Sequence, residues 1–178
     1  METSTAPRLG YAYAFTQDGS WIPQTLPYVN QGYRATASAN QLVIFGMENG
    51  TMPYGGFAFG LSPSGSWVQQ LLPYVNQGYK AISSNGQIVL YGIETSTAPR
   101  TGYAFAFTQD GTWIQQTLPY VNQGYKAIAS NGQIVIYGME NSTQPYGGHS
   151  YTFTASNTWV HQTLPYVNQL YRGSAIKY

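Results

Sequence analysis

The residues best equipped for chemistry in this sequence recur as a set. A tyrosine, an asparagine and a glutamine sit within the phrase LPYVNQ. TLPYVNQ stands at Thr25–Gln31, Thr117–Gln123 and Thr163–Gln169, and LLPYVNQ at Leu71–Gln77. Each amide offers a donor and an acceptor, and a tyrosine ring adds rigid apolar area with a polar tip. A neutral sugar asks for that combination, because it presents hydroxyls in the plane of its ring and C–H faces above and below. The candidate ligand-binding set is therefore Tyr28, Asn30 and Gln31 with Tyr74, Asn76, Gln77, Tyr120, Asn122, Gln123, Tyr166, Asn168 and Gln169. Trp21, Trp67, Trp113 and Trp159 are candidate stacking faces, against a competing role buried between repeats. The competing reading of the phrase is architectural: Pro, Tyr and Asn shape a crossing while Leu and Val cap the core.

Other chemistry is thinly supplied. Charged residues make up 7% of the chain and the net charge is +1, so no basic patch for nucleic acid can be assembled. There is no cysteine, hence no disulfide and no thiolate site. His149 and His161 are the only histidines and have no metal-ligand spacing. Glu2, Glu48, Glu94 and Glu140 are in phase, as are Arg34, Lys80, Lys126 and Arg172. A ring of four glutamates holding an ion on an axis is a minor alternative to the expectation of no metal and no cofactor. An active site needs unlike groups with separated pKa values, which identical copies do not provide, so no enzyme is expected. NGT at Asn49 and NST at Asn141 fit the glycan acceptor pattern, at the frequency chance allows in so Asn- and Thr-rich a chain.

The elements that must position these residues follow from a repeat. The four tryptophans are 46 residues apart, and Pro27, Pro73, Pro119 and Pro165 keep the same period. We read one repeat domain over 1–178, with repeats of about 1–46, 47–92, 93–138 and 139–178. ETSTAPR at Glu2 and Glu94 alternates with MENGTMPYGG and MENSTQPYGG, so repeats one and three form one kind and two and four another. This predicts two alternating kinds of surface.

Each repeat reads as four short strands. In the third, GYAFAFT alternates with period two, the turn QDG leads to WIQQTL, and YKAIAS and QIVIYG flank an Asn-Gly turn. Pro23 lies inside the first WIPQTL and predicts an outer edge strand, since proline cannot donate to a ladder. Four antiparallel strands in about 45 residues predict an all-β fold, a β-propeller of four-stranded blades. The chain opens on third and fourth strands and closes on YRGSAIK, which matches a first strand. Two closures stay open: a four-bladed ring completed within one chain, or a homodimer that joins incomplete blades into a larger ring.

NGQIVIYG, a Gly-aromatic strand and then FTQDGTW together resemble the blades of Asp-box, or BNR-type, propellers. In that family a Ser/Thr-x-Asp-x-Gly-x-Thr-Trp turn joins the third and fourth strands. Thr108, Asp110, Thr112 and Trp113 match the box in a turn two residues shorter, while repeats two and four read SPSGSW and TASNTW without the aspartate. The resemblance implies a fold, because the box is structural in the family. Sialidases of this kind also need a gathered arginine cluster, whereas Arg8, Arg34, Arg100 and Arg172 are spread by the repeat. It therefore implies a lectin-like propeller rather than a sialidase. Bulb-type mannose lectins share Val135 and Tyr137, but Ala129, Asn131 and Gln133 stand where their pocket residues belong.

The expected function is a multivalent lectin or agglutinin whose partners are glycans or glycoproteins. The alternative is a structural or protein-binding propeller without enzymatic activity, engineered or truncated as a repeat protein. No run of about 18 apolar residues spans a membrane. We expect a soluble chain, with secretion and the cytoplasm equally open.

Overall fold

The computed structural model describes residues 9–50, 54–96, 100–142, 144 and 146–167. Glu2, Arg8, Asn168, Gln169, Arg172 and the YRGSAIK strand lie outside the described residues. Fourteen antiparallel strands and no helix make up the described chain. β1 (Leu9–Phe15) pairs with β2 (Trp21–Pro27) in a two-stranded sheet. The second sheet runs β3 (Tyr33–Ser38), β4 (Gln41–Glu48), β5 (Gly55–Leu61) and β6 (Trp67–Leu72). The third is β7 (Lys80–Ser84), β8 (Gln87–Ile93), β9 (Gly102–Phe107) and β10 (Trp113–Leu118). The fourth is β11 (Tyr125–Ser130), β12 (Gln133–Glu140), β13 (Gly147–Phe153) and β14 (Trp159–Leu164).

Strands follow one another across each sheet in chain order, and β7 packs against both β3 and β11. First strands thus gather on the inside while β6, β10 and β14 form outer edges. The arrangement is consistent with a four-bladed, propeller-like fold. Pro23 lies on edge strand β2 opposite Tyr13, where no further ladder partner needs its missing N–H.

Local chemistry explains both hairpins. Asn85-Gly86 and Asn131-Gly132 take positive φ at both positions (46° and 78°, 48° and 78°), as a two-residue turn of right-twisted strands requires. The longer turn between third and fourth strands is held by oxygens two residues apart. Asp110 accepts from the hydroxyls of Thr108 and Thr112, and Thr108 Oγ1 accepts from the Thr112 backbone N–H at 3.1 Å. Ser62–Ser64 and Thr154–Ser156 hydroxyl pairs at 2.8 and 2.9 Å serve where the aspartate is missing. The turn keeps its shape in the sheets that lack the carboxylate.

Sheets stack through complementary faces. Val43, Phe45 and Ala58 of the second sheet share a core with Phe105, Phe107 and Trp113 of the third. Val89, Ala104 and Ala106 of the third meet Tyr151, Phe153 and Trp159 of the fourth. At Gly60 a Cβ would lie 2.4 Å from Phe107, so the ring itself dictates glycine. Two hydrogen bonds also recur from sheet to sheet. Indole Nε1 donates to the preceding sheet from Trp67 to Ile22 O (3.4 Å), Trp113 to Val68 O (3.0 Å) and Trp159 to Ile114 O (3.5 Å). Gln41 Nε2 donates to Thr108 O, and Gln87 Nε2 to Thr154 O at 3.0 Å.

Candidate functional site

The LPYVNQ loops join each outer strand to the next inner strand, at the end opposite the Asn-Gly turns. Their apolar members are anchors: Leu26, Leu72, Leu118, Val29, Val75 and Val121 are all buried. Close approach of Val29 and of the Gly32 carbonyl leaves no room for a Cβ at Gly46, and Gly92 and Gly138 repeat this contact. The hydroxyls of Tyr33, Tyr79 and Tyr125 donate to the carbonyls of Pro27, Pro73 and Pro119 at 2.8, 3.0 and 2.9 Å. Burial pushes these phenols far above their ordinary pKa, which keeps them donors.

The asparagines are committed to the same loop. Asn76 Nδ2 donates to Thr95 Oγ1, and its Oδ1 accepts from Thr95 N, both at 3.0 Å. Asn30 pairs in this way with Asn49, and Asn122 with Asn141, at 2.8 and 2.9 Å. The in-phase glutamates complete the staple: Glu48, Glu94 and Glu140 accept from the backbone N–H of Asn30, Asn76 and Asn122, each at 2.9 Å. Among the described residues no three His, Asp or Glu side chains gather for a metal ion. The described glutamates therefore bind their own loops and do not converge on an axis.

What the loops leave outward is chiefly Gln, beside half-buried Tyr28, Tyr74 and Tyr120, with Gln123 Nε2 also donating to Asn141 Oδ1 at 3.2 Å. Gln31, Gln77 and Gln123 are exposed. Gln31 and Gln77 line one small cleft of about 50 Å³ with Arg34, and Gln77 and Gln123 line another of about 100 Å³ with Lys80 and Lys126. Both fall below the roughly 300–1,000 Å³ of enclosing small-molecule pockets. A cavity of about 720 Å³ lies elsewhere, between the turns of the first and second sheets, and is the gap beside the two-stranded sheet.

The tyrosines alternate with the repeat type. Tyr54, from PYGG, meets Tyr74 at 5.3 Å between ring centroids, and Tyr146 meets Tyr166 at 5.2 Å. Gly56 pairs with Leu72 and Gly148 with Leu164, so adjacent strands hold the rings together. Tyr54 and Tyr146 remain 46% and 44% exposed. In the third repeat Arg100 instead covers Tyr120, its guanidinium 5.3 Å from the ring centroid. Tyr54 and Tyr146 are absent from the candidate ligand-binding set, and Arg100 enters the sequence reading only as one of the spread arginines; the PYGG and APR alternation is the signal for all three.

Trp67, Trp113 and Trp159 lie between sheets, as their indole bonds show, and Trp113 and Trp159 lean on Phe107 and Phe153 at 4.8 and 4.9 Å. Trp21 lies on Phe15 at 4.8 Å and is 63% exposed. His149 and His161 are joined by a ring-nitrogen contact of 3.1 Å across β13 and β14. No family model, curated protein or solved structure matches this chain.

Proposed function

We propose that this protein is a multivalent carbohydrate-binding protein whose primary sites are the tyrosine pairs Tyr54–Tyr74 and Tyr146–Tyr166. The observation that carries the reading is the pair itself, on alternate sheets: Tyr54 beside the half-buried Tyr74, and Tyr146 beside Tyr166, with Tyr54, Tyr146 and Tyr166 exposed and the rings fixed by paired strands. Such a platform takes the C–H face of a sugar at little entropic cost, because tyrosine has few rotamers to lose. The neighbouring loops supply neutral amides at Gln31, Gln77 and Gln123 for hydroxyl recognition. A net charge of +1 and 7% charged residues suit an uncharged ligand.

The earlier set divides under this reading. Tyr74 and Tyr166 stay in the site, the glutamines flank it, and Tyr28 and Tyr120 belong to the second kind of surface. Asn30, Asn76 and Asn122 act by holding the loop. One weak site per pair gains roughly 10²–10⁴ in avidity when two engage one glycosylated surface. A protein-binding scaffold is the second reading, favoured by the small volume of the loop clefts. Glycan-array screening of the purified chain separates the two, since a scaffold leaves the array blank.

A further inference from the structure

The sheet-to-sheet bonds repeat with a period that names their next partners. Trp67, Trp113 and Trp159 donate to Ile22, Val68 and Ile114; the corresponding acceptor for Trp21 is the carbonyl of Val160. Gln41 and Gln87 donate to Thr108 and Thr154; the corresponding acceptor for Gln133 is the carbonyl of Thr16. Both sets of ends are open in this chain. Trp21 is 63% and Val160 54% exposed, and Gln133 is exposed where Gln41 and Gln87 are buried. Around Trp21 stand Tyr11, Tyr13 and Phe15, all exposed, at positions where the third sheet buries Phe105 and Phe107.

We propose that a second copy of this chain docks here, the Val160 face of one copy covering the Trp21 face of the other. The contact continues an interface whose indole bond is already formed three times within the chain and whose glutamine bond twice. It is heterologous, since one face is aromatic and the other carries small and branched residues. Four aromatic side chains of about 150–250 Å² each, each about 60% exposed, offer roughly 360–600 Å² toward the roughly 800 Å² per partner of a stable interface. The chemistry has shifted as an interface between molecules requires. Ser150 and Thr152 replace Ala104 and Ala106, and Tyr13 replaces Phe105, so hydroxyls stand on both faces. Among the described residues Trp21 and Val160 both stay exposed and do not meet, which points each face to a separate copy.

Sedimentation velocity of the full chain, over a range of concentrations, tests this. The expected result is a species of at least twice the 19.6 kDa chain mass. Val160→Arg and Trp21→Glu should each sediment as a single chain. An equimolar mixture of the two variants should recover a two-chain species, because it retains one intact Trp21–Val160 contact. Gln133→Ala, which removes only one exposed amide, should weaken association while leaving the circular dichroism spectrum unchanged. A wild type that stays at one chain mass, with Trp21 emission either exposed or buried, overturns the proposal. So does a mixture in which neither variant rescues the other.

Discussion

The backbone N–H of Asn76 donates to Glu94 Oε2 at 2.9 Å, and the pair recurs as Asn30–Glu48 and Asn122–Glu140. Glu94 is buried and also accepts from the backbone of Ser96 at 2.6 Å. Removing its charge weakens both of these backbone bonds to a buried acceptor at once. Glu94→Gln should cost about 2 kcal/mol, and Asn76→Ala a similar amount through its two lost contacts to Thr95. Urea unfolding of the two variants against wild type measures both.

Much of the architecture is legible in the residues. The 46-residue period, the alternation of GYAFAFT and the Asn-Gly pairs lead to the strands that the structure contains. The site was less legible, for a physical reason. Asn76 looks like a free amide along the chain, yet its partner Thr95 lies 19 residues on, across two strands. Tyr54 and Tyr74 are distant in sequence and meet only because β5 pairs with β6. Local pattern reveals elements, whereas the use of a polar side chain depends on pairing that pattern does not display.

The indole bonds between sheets make a second prediction. Trp113→Phe keeps the ring against Phe107 and removes only the donor to Val68 O at 3.0 Å. The expected loss is about 1 kcal/mol, read from the denaturation midpoint with an unchanged slope. A larger loss with a changed slope would show that the ring itself was misplaced.

Ala39 occupies the turn position held elsewhere by Asn85 and Asn131, with φ of 51°. A left-handed conformation costs a non-glycine residue about 1–2 kcal/mol. Ala39→Gly should therefore stabilise the protein by about 1 kcal/mol and raise its thermal midpoint. An unchanged or lower midpoint contradicts this.

Acid should act through two kinds of group. Burial, aided by His161, lowers the pKa of His149 from its ordinary value of 6.5. The folded state thus favours the neutral ring, and stability falls as pH drops below 6.5. Tyr151 stacks on His161 at 4.5 Å in the same cluster. Asp18 and Asp110 are held below the usual carboxylate range by the hydroxyls of Thr16 and Thr108 foremost. Their contribution is present above the unfolded carboxylate value and disappears at lower pH. His149→Gln should flatten the first slope in a pH series of melting curves and leave the second.

Titration calorimetry with a sugar drawn from a glycan array, on wild type and on Tyr54→Ala/Tyr146→Ala, addresses the lectin reading itself. Saturable binding near two sugars per chain is expected in the wild type. The double variant should lose it without a change in melting temperature, since both rings are exposed. A blank array, or a double variant that binds as the wild type does, would contradict a lectin built on tyrosine pairs.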